Sequence, residues 1–123
     1  MINVKTDTKE KFSVIIPQFN NLTANMAVEL TQFLSTFLQK DVPHVVLNLK
    51  HIQDMQSHEA DQLIEAQNAF YENQCSFIIC EIQSQLVPLF NESINITPSE
   101  SEAWDILQME EIERELLNNF DDV

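Results

Sequence analysis

Glycine is absent from all 123 residues of the chain. A phosphate cradle of the dinucleotide-binding or P-loop kind is therefore excluded, because both need backbone that approaches phosphate with no Cβ in the way. The same absence pushes any turn with positive φ onto Asn or Asp, and Asn20, Asn21, Asn73 and Asn91 are the residues placed to supply it. Basic residues are scarce as well. Six Lys and Arg face 20 Asp and Glu, a net charge of −14, so the cationic patch that phosphate contacts require is missing and nucleic acid is set aside as a partner. No stretch approaches the roughly 20 apolar residues of a membrane span, and the start, MINVKTDTKEKF, lacks the apolar core of a signal peptide. A cytoplasmic protein without membrane insertion is expected. Cysteine is limited to Cys75 and Cys80, which fall in one expected strand with side chains on opposite sides, about 16 Å apart at ~3.3 Å per residue. They cannot pair, and two free buried thiols agree with a reducing compartment.

What the chain does have is enough apolar surface to fold. Hydrophobic residues make up 44% of the sequence, and the length fits one domain, residues 1–123, with one core. The acidity is uneven. Residues 99–123 hold Glu100, Glu102, Asp105, Glu110, Glu111, Glu113, Glu115, Asp121 and Asp122 against Arg114 alone, and so supply −8 of the −14. This segment reads as an acidic helix and tail, either a solvated face or a docking helix for a basic partner.

Short strands are expected at residues 2–5 and 12–16, joined by a polar turn into a hairpin. Pro17 has no N–H for a sheet ladder and ends the second strand. Residues 20–40 then show helical spacing, with Met26, Leu30, Phe33, Leu34, Phe37 and Leu38 on one stripe, until Asp41 and Pro43 break it. Val45, Val46, Leu47 and Leu49 form a nearly continuous apolar strand interrupted by Asn48, the pattern of a strand inside a covered sheet. Ser57 or a neighbour caps a helix whose inward face is Ala60, Leu63, Ile64, Gln67 and Phe70 or Tyr71. A strand at 75–80, a short helix near 86–90, a strand at 94–97 and a helix opening at Pro98 and Ser99 complete the order. Strands alternating with helices after an initial hairpin give an α/β fold: a mixed, mostly parallel sheet of four or five strands with about four helices.

The junction from the apolar strand into the second helix carries most of the chemistry, because helix amides and the helix dipole converge at such a mouth. Gln56, Ser57, His58 and Glu59 stand there. His51, Asp54, His58 and Glu59 include good metal ligands, but their spacing matches no helix face or finger pattern, and no metal is expected. Ser-His-Glu at 57–59 echoes a histidine kinase acceptor helix, which belongs to a four-helix bundle and not to a helix following a core strand. A hydrolase on Ser57 needs an oriented base and an oxyanion site, and the spacing offers neither. No enzyme and no cofactor is expected.

The order of elements and two local motifs resemble the STAS domain, the fold of bacterial anti-sigma factor antagonists and of the cytosolic part of sulfate transporter-type anion carriers. The first motif in that family reads roughly Gly-Glu-Leu-Asp, two residues, then Thr-Ala; here Thr23 and Ala24 match, and Asn20 stands where the acid would be. The second is an apolar Leu-Asp-Leu strand followed by Asp-Ser-Ser-Gly-Leu, which falls on Leu47, Asn48, Leu49 and then Gln56, Ser57, His58, Glu59, Ala60. The resemblance implies a single STAS-like domain and a protein partner, either a kinase-type anti-sigma factor or a related regulator in a bacterial partner-switching, transcription-regulating pathway. It also places the phosphorylated serine of regulated antagonists at His58, which a serine kinase cannot use. Phosphorylation there would add about −1.5 to −2 charges at the helix mouth, and that switch is lost unless Ser57, one residue away, takes its place.

The expectation is thus a non-enzymatic protein interaction module without serine phospho-switching. The alternative is a STAS domain that binds a small anion or nucleotide at the same mouth, which Glu59 and Asp61 in the first turn oppose by charge. In the C-terminal helix, Trp104, Leu107, Met109, Ile112, Leu116 and Phe120 approximate one apolar stripe, and Ile112, Leu116, Leu117 and Phe120 are the candidates for packing on a second subunit or a partner helix.

Overall fold

The computed structural model describes residues 2–90 and 94–121, with side chains through Leu117. Strands β1 (Val4–Thr8) and β2 (Ser13–Pro17) form the expected hairpin, antiparallel, with Val4 opposite Pro17 and Thr8 opposite Ser13. The first strand runs three residues further than expected, and Lys9 N–H donates to Phe12 O at 2.8 Å to close a shorter turn. Strands β3 (Val45–Asn48), β4 (Phe77–Cys80) and β5 (Ile96–Thr97) add in parallel, giving a five-stranded sheet in the order β1-β2-β3-β4-β5.

Helices α1 (Ala24–Ser35) and α2 (Ser57–Glu72) are the β2–β3 and β3–β4 crossovers and pack on one face of the sheet. The single helix expected at 20–40 is shorter: α1 gives way to a 3₁₀ turn at Thr36–Gln39, and Asn20 and Asn21 lie outside it. Helix α3 (Glu100–Asp121) covers the other face, and a 3₁₀ segment, Ser84–Leu89, links β4 to β5. Alternate residues of each strand feed the two layers. Ile15, Leu47 and Ile79 meet α1 and α2, while Val14, Val46 and Ile78 meet Ala103 and Leu107 of α3. This two-sided cover is why the strands read as continuous apolar runs. Cys75 and Cys80 are free, buried and on opposite layers, although Cys75 precedes β4 and does not belong to it. Among the described residues, no helix is long and apolar enough to cross a membrane.

Among the described residues the positive-φ positions are Gln74 (61°) and Glu81 (54°), not Asn20, Asn21 or Asn73; Asn91 lies outside the described residues. The reason at Gln74 is the end of α2. Cys75 N–H donates to Phe70 O and Gln74 N–H to Tyr71 O, the paired bonds of a Schellman ending, which puts the left-handed residue one place after the cap Asn73 whatever its side chain.

Helix α3 divides the apolar stripe expected of it. Ala103 and Leu107 are buried and Trp104 stacks on Phe12, but Met109, Ile112 and Leu116 are 60%, 57% and 54% exposed. At 100° per residue these three fall on the side away from the sheet. Beyond Leu107 the helix docks through polar groups instead. Tyr71 O–H and Ser76 O–H donate to the Glu110 carboxylate at 2.7 and 2.6 Å, Asn95 Nδ2 donates to Tyr71 Oη at 2.7 Å, and Arg114 donates to Ser76 Oγ at 2.9 Å and Glu111 at 2.8 Å.

His44, at the head of β3, belongs to the same latch. Its Nδ1 accepts from Ser76 N–H at 3.0 Å and its Nε2 lies 2.8 Å from Glu111 Oε1, so the ring's proton sits on Nε2. Protonating Nδ1 would set two donors against each other. Burial holds the imidazole below its usual value, the facing Arg114 adds to this, and Glu111 and Glu110 oppose it. A base with a depressed folded pKa binds protons more readily when unfolded, so its contribution is present above the unfolded value of about 6.5 and is lost as pH falls through the folded one. Urea midpoints are expected to be level above about pH 7.5 and to fall between about pH 6.5 and 5 more steeply for the wild type than for His44→Gln. Parallel curves for the two proteins would rule this linkage out.

Candidate functional site

The β2–α1 and β3–α2 connections leave the same end of the sheet, where parallel neighbours β2 and β3 finish. Each is pinned by apolar side chains, Leu22 in the first and Ile52 and Met55 in the second, none more than 4% exposed. The backbones then zip together. Gln53 and Asp54 N–H both donate to Asn20 O, at 2.7 and 3.1 Å, and Leu22 N–H donates to Asp54 O at 2.9 Å, forming a parallel bridge at Asn21 and Asp54. The two motifs singled out in the sequence, Asn20-Thr23-Ala24 and Gln56-Ser57-His58-Glu59, are brought together at one end of the molecule by these bonds.

Both helix mouths open there. Thr23 caps α1, its Oγ1 accepting from Met26 N–H at 3.4 Å, and Ala24 is the first helical residue. At α2 the cap is Gln56, in extended backbone and without a side-chain bond to the helix, and Ser57 is the first helical residue. Burial of Met55 fixes where the chain enters, and this moves the cap one residue earlier than Ser57. Gln56, Ser57 and His58 are exposed, whereas Glu59 turns inward and is 7% exposed. Its Oε2 is buried with no hydrogen-bond partner, an arrangement that costs on the order of 1–3 kcal/mol. Glu59 therefore lies beneath the mouth and does not form part of its surface. Beside it lies an open groove of about 500 Å³ lined by Gln18, Phe19, Asn20, Lys50, His51 and Gln53.

A second polar cluster, marked by no local motif, lies on the α3 side of the same sheet end. Asn48, fully buried at the end of β3, donates from Nδ2 to Glu81 at 2.7 Å and to Glu100 at 2.8 Å, while its Oδ1 accepts from Lys50 N–H at 3.0 Å. Cys80 adjoins it, and burial together with the Glu100 and Glu81 charges pushes the thiol up to about 12. Cys80, Glu81 and Glu100 are, among the described residues, the group whose ligand atoms lie close enough for a metal. His51, Asp54, His58 and Glu59 are not drawn together in this way. Yet the amide protons of Asn48 occupy the space between the two carboxylates, and the thiol is held protonated, so the cluster satisfies itself. The one sign of it in the sequence was a polar residue interrupting an apolar strand.

No protein-family model matches the sequence, and no curated protein sequence matches it either. Solved structures do match its fold. A Thermotoga maritima protein assigned as an anti-sigma factor antagonist superposes with a TM-score of 0.70 at 14% identity, over 85% of this chain and 94% of its own. The anti-sigma factor antagonist SpoIIAA in its unphosphorylated form gives 0.67 at 16% identity, over 86% and 98%. An anti-sigma-factor antagonist (STAS) domain protein from Planctomyces limnophilus gives 0.60 at 19% identity, over 85% and 97%. The fold of the chain is STAS-like, in agreement with the resemblance carried by its motifs.

Proposed function

We propose that the chain is a non-enzymatic, cytoplasmic protein interaction module of the anti-sigma factor antagonist kind, which docks a regulator at the zipped mouths of α1 and α2. The observation that carries this reading is the exposed Gln56-Ser57-His58 rim, presented by a fold shared with antagonists over nearly the whole chain. A kinase-type anti-sigma factor or a related component is the partner. The cap residue Gln56, which makes no side-chain bond to the helix, and the unpaired Glu59 oxygen below it support the reading, because stability forgone at one site is a common mark of a contact kept there. A small anion is the weaker reading: Glu59 in the first turn of α2, with Asp61 just beyond it, offsets the positive end of the helix dipole.

The module works without a serine switch. His58, exposed at the second helical position, stands where the resemblance puts the phosphoacceptor. Full-length protein used as bait in its host's native lysate is expected to retain a stoichiometric partner that His58→Glu, which adds a charge to the rim, releases. Its intact mass is expected to be the same before and after phosphatase treatment. Recovery of tightly bound nucleotide with no protein would sink the docking reading, and a stoichiometric phosphate on Ser57 would sink the claim about the switch.

A further inference from the structure

We propose that a second docking surface, at the opposite end of the sheet, receives a cationic amphipathic helix from a partner protein. The groove lies between α3 and the chain ends where β2 and β3 begin, and encloses about 630 Å³. Trp104, Leu107, Val42 and Pro43 form its apolar floor, and Phe12, stacked on Trp104 at 5.1 Å between ring centroids, keeps that floor rigid. Its rim carries four acids, Glu10, Asp41, Glu111 and Glu115, against one base, Lys11. Ile112 lines the groove and also starts the outward stripe with Met109 and Leu116, all more than half exposed. Apolar surface thus continues from the groove over the crest of α3.

Charge selects the occupant. Acids outnumber bases nine to one across residues 99–123, and the one base, Arg114, is already held by Glu111 and Ser76. A second copy would set a chain of −14 against another of −14, with α3 acids facing α3 acids, which like-charge repulsion disfavours. A helix with Leu-type residues on one face and Lys or Arg on its flanks meets both requirements, filling the floor while pairing with the rim. Nothing in this placement depends on the mouths of α1 and α2.

The test uses the full chain and a synthetic 18-residue Leu/Lys peptide patterned as an amphipathic helix, with a scrambled peptide of identical composition as control. Trp104, the chain's one tryptophan, reports occupancy of the groove by its emission. The patterned peptide is expected to bind at least about tenfold more tightly than the scrambled one, to shift Trp104 emission and to weaken with added salt. Ile112→Ser combined with Leu116→Ser should lower its affinity about tenfold, and Glu115→Lys, a rim change that leaves the apolar surface intact, should weaken it independently. Equal binding of the two peptides, unchanged Trp104 emission, or variants that bind like the wild type would overturn the proposal. So would a dimer, seen by sedimentation, that Ile112→Ser dissociates, since the occupant would then be a second copy.

Discussion

Replacing Asn48 by Asp is expected to destabilise the protein by about 3–5 kcal/mol at pH 7, a large share of the 5–15 kcal/mol that holds a typical domain folded. The substitution is isosteric, and the acceptor end of the side chain still meets Lys50 N–H. Only the donor end changes. Two charge-assisted bonds, to Glu81 and Glu100 at 2.7 and 2.8 Å, become two carboxylate–carboxylate contacts at a fully buried position. Three such groups cannot all stay ionised, so one proton is retained in the folded state and its pKa rises above the unfolded value of about 4. The stability tied to that proton is present at acid pH and is lost as pH rises through the raised pKa. Urea midpoints of Asn48→Asp should therefore approach those of the wild type near pH 4 and diverge towards neutrality, and Glu100→Gln in the same background should recover part of the loss. An unchanged midpoint at pH 7 would show that the cluster is open to water. The resemblance puts an acid at this position. Asn replaces it here because Glu81 and Glu100 have taken the acceptor roles around it.

This cluster also marks where the sequence stops being legible. Hydrophobic period and turn residues revealed the hairpin, the two crossover helices and the sheet, since each depends on neighbours within about ten residues. Asn48 was visible as an interruption, but its partners lie 33 and 52 residues away, and no local pattern encodes that meeting. The division of the α3 stripe has a related cause. A 22-residue helix spans about 33 Å at 1.5 Å per residue, while strands of four or five residues span roughly half that. The sheet can bury only the first half of the helix. Further along, apolar residues at spacings of three and four are free to lie on either side, and Met109, Ile112 and Leu116 lie on the outer one.

The four residues singled out at the mouth of α2 divide between surface and interior. Gln56, Ser57 and His58 are exposed at the mouth of α2 as expected. Their neighbour Glu59 is not, because its place in the first turn carries it beneath the chain that Met55 anchors. Nor could the pairing of Asn20 with Gln53 and Asp54 be read from either motif separately. It follows from β2 and β3 being adjacent and parallel, which sends both loops off the same edge.

Glu110→Ala is expected to cost about 2–4 kcal/mol, more than an ordinary surface substitution, because it leaves three buried or half-buried donors without their acceptor at once. Tyr71, Ser76 and Asn95 all point at this carboxylate, and Arg114 reaches it across Ser76. Removing it frees the second half of α3, since beyond Leu107 that half is held by polar contacts and not by the core. Amide exchange should rise from Glu110 to Arg114 well before it rises in β3 or β4. The chain's one tyrosine gives an independent readout. Burial, then the Glu110 hydrogen bond and charge, push the Tyr71 phenol well above its ordinary range. An acid with a raised folded pKa contributes stability that is complete below the unfolded value, about 10, and is lost as pH rises through the folded one. In the wild type, phenolate absorbance should accordingly appear together with alkaline unfolding. In Glu110→Ala it should appear earlier, while the sheet is still folded. If Tyr71 titrates identically in both proteins, the latch is not what holds α3 to the sheet.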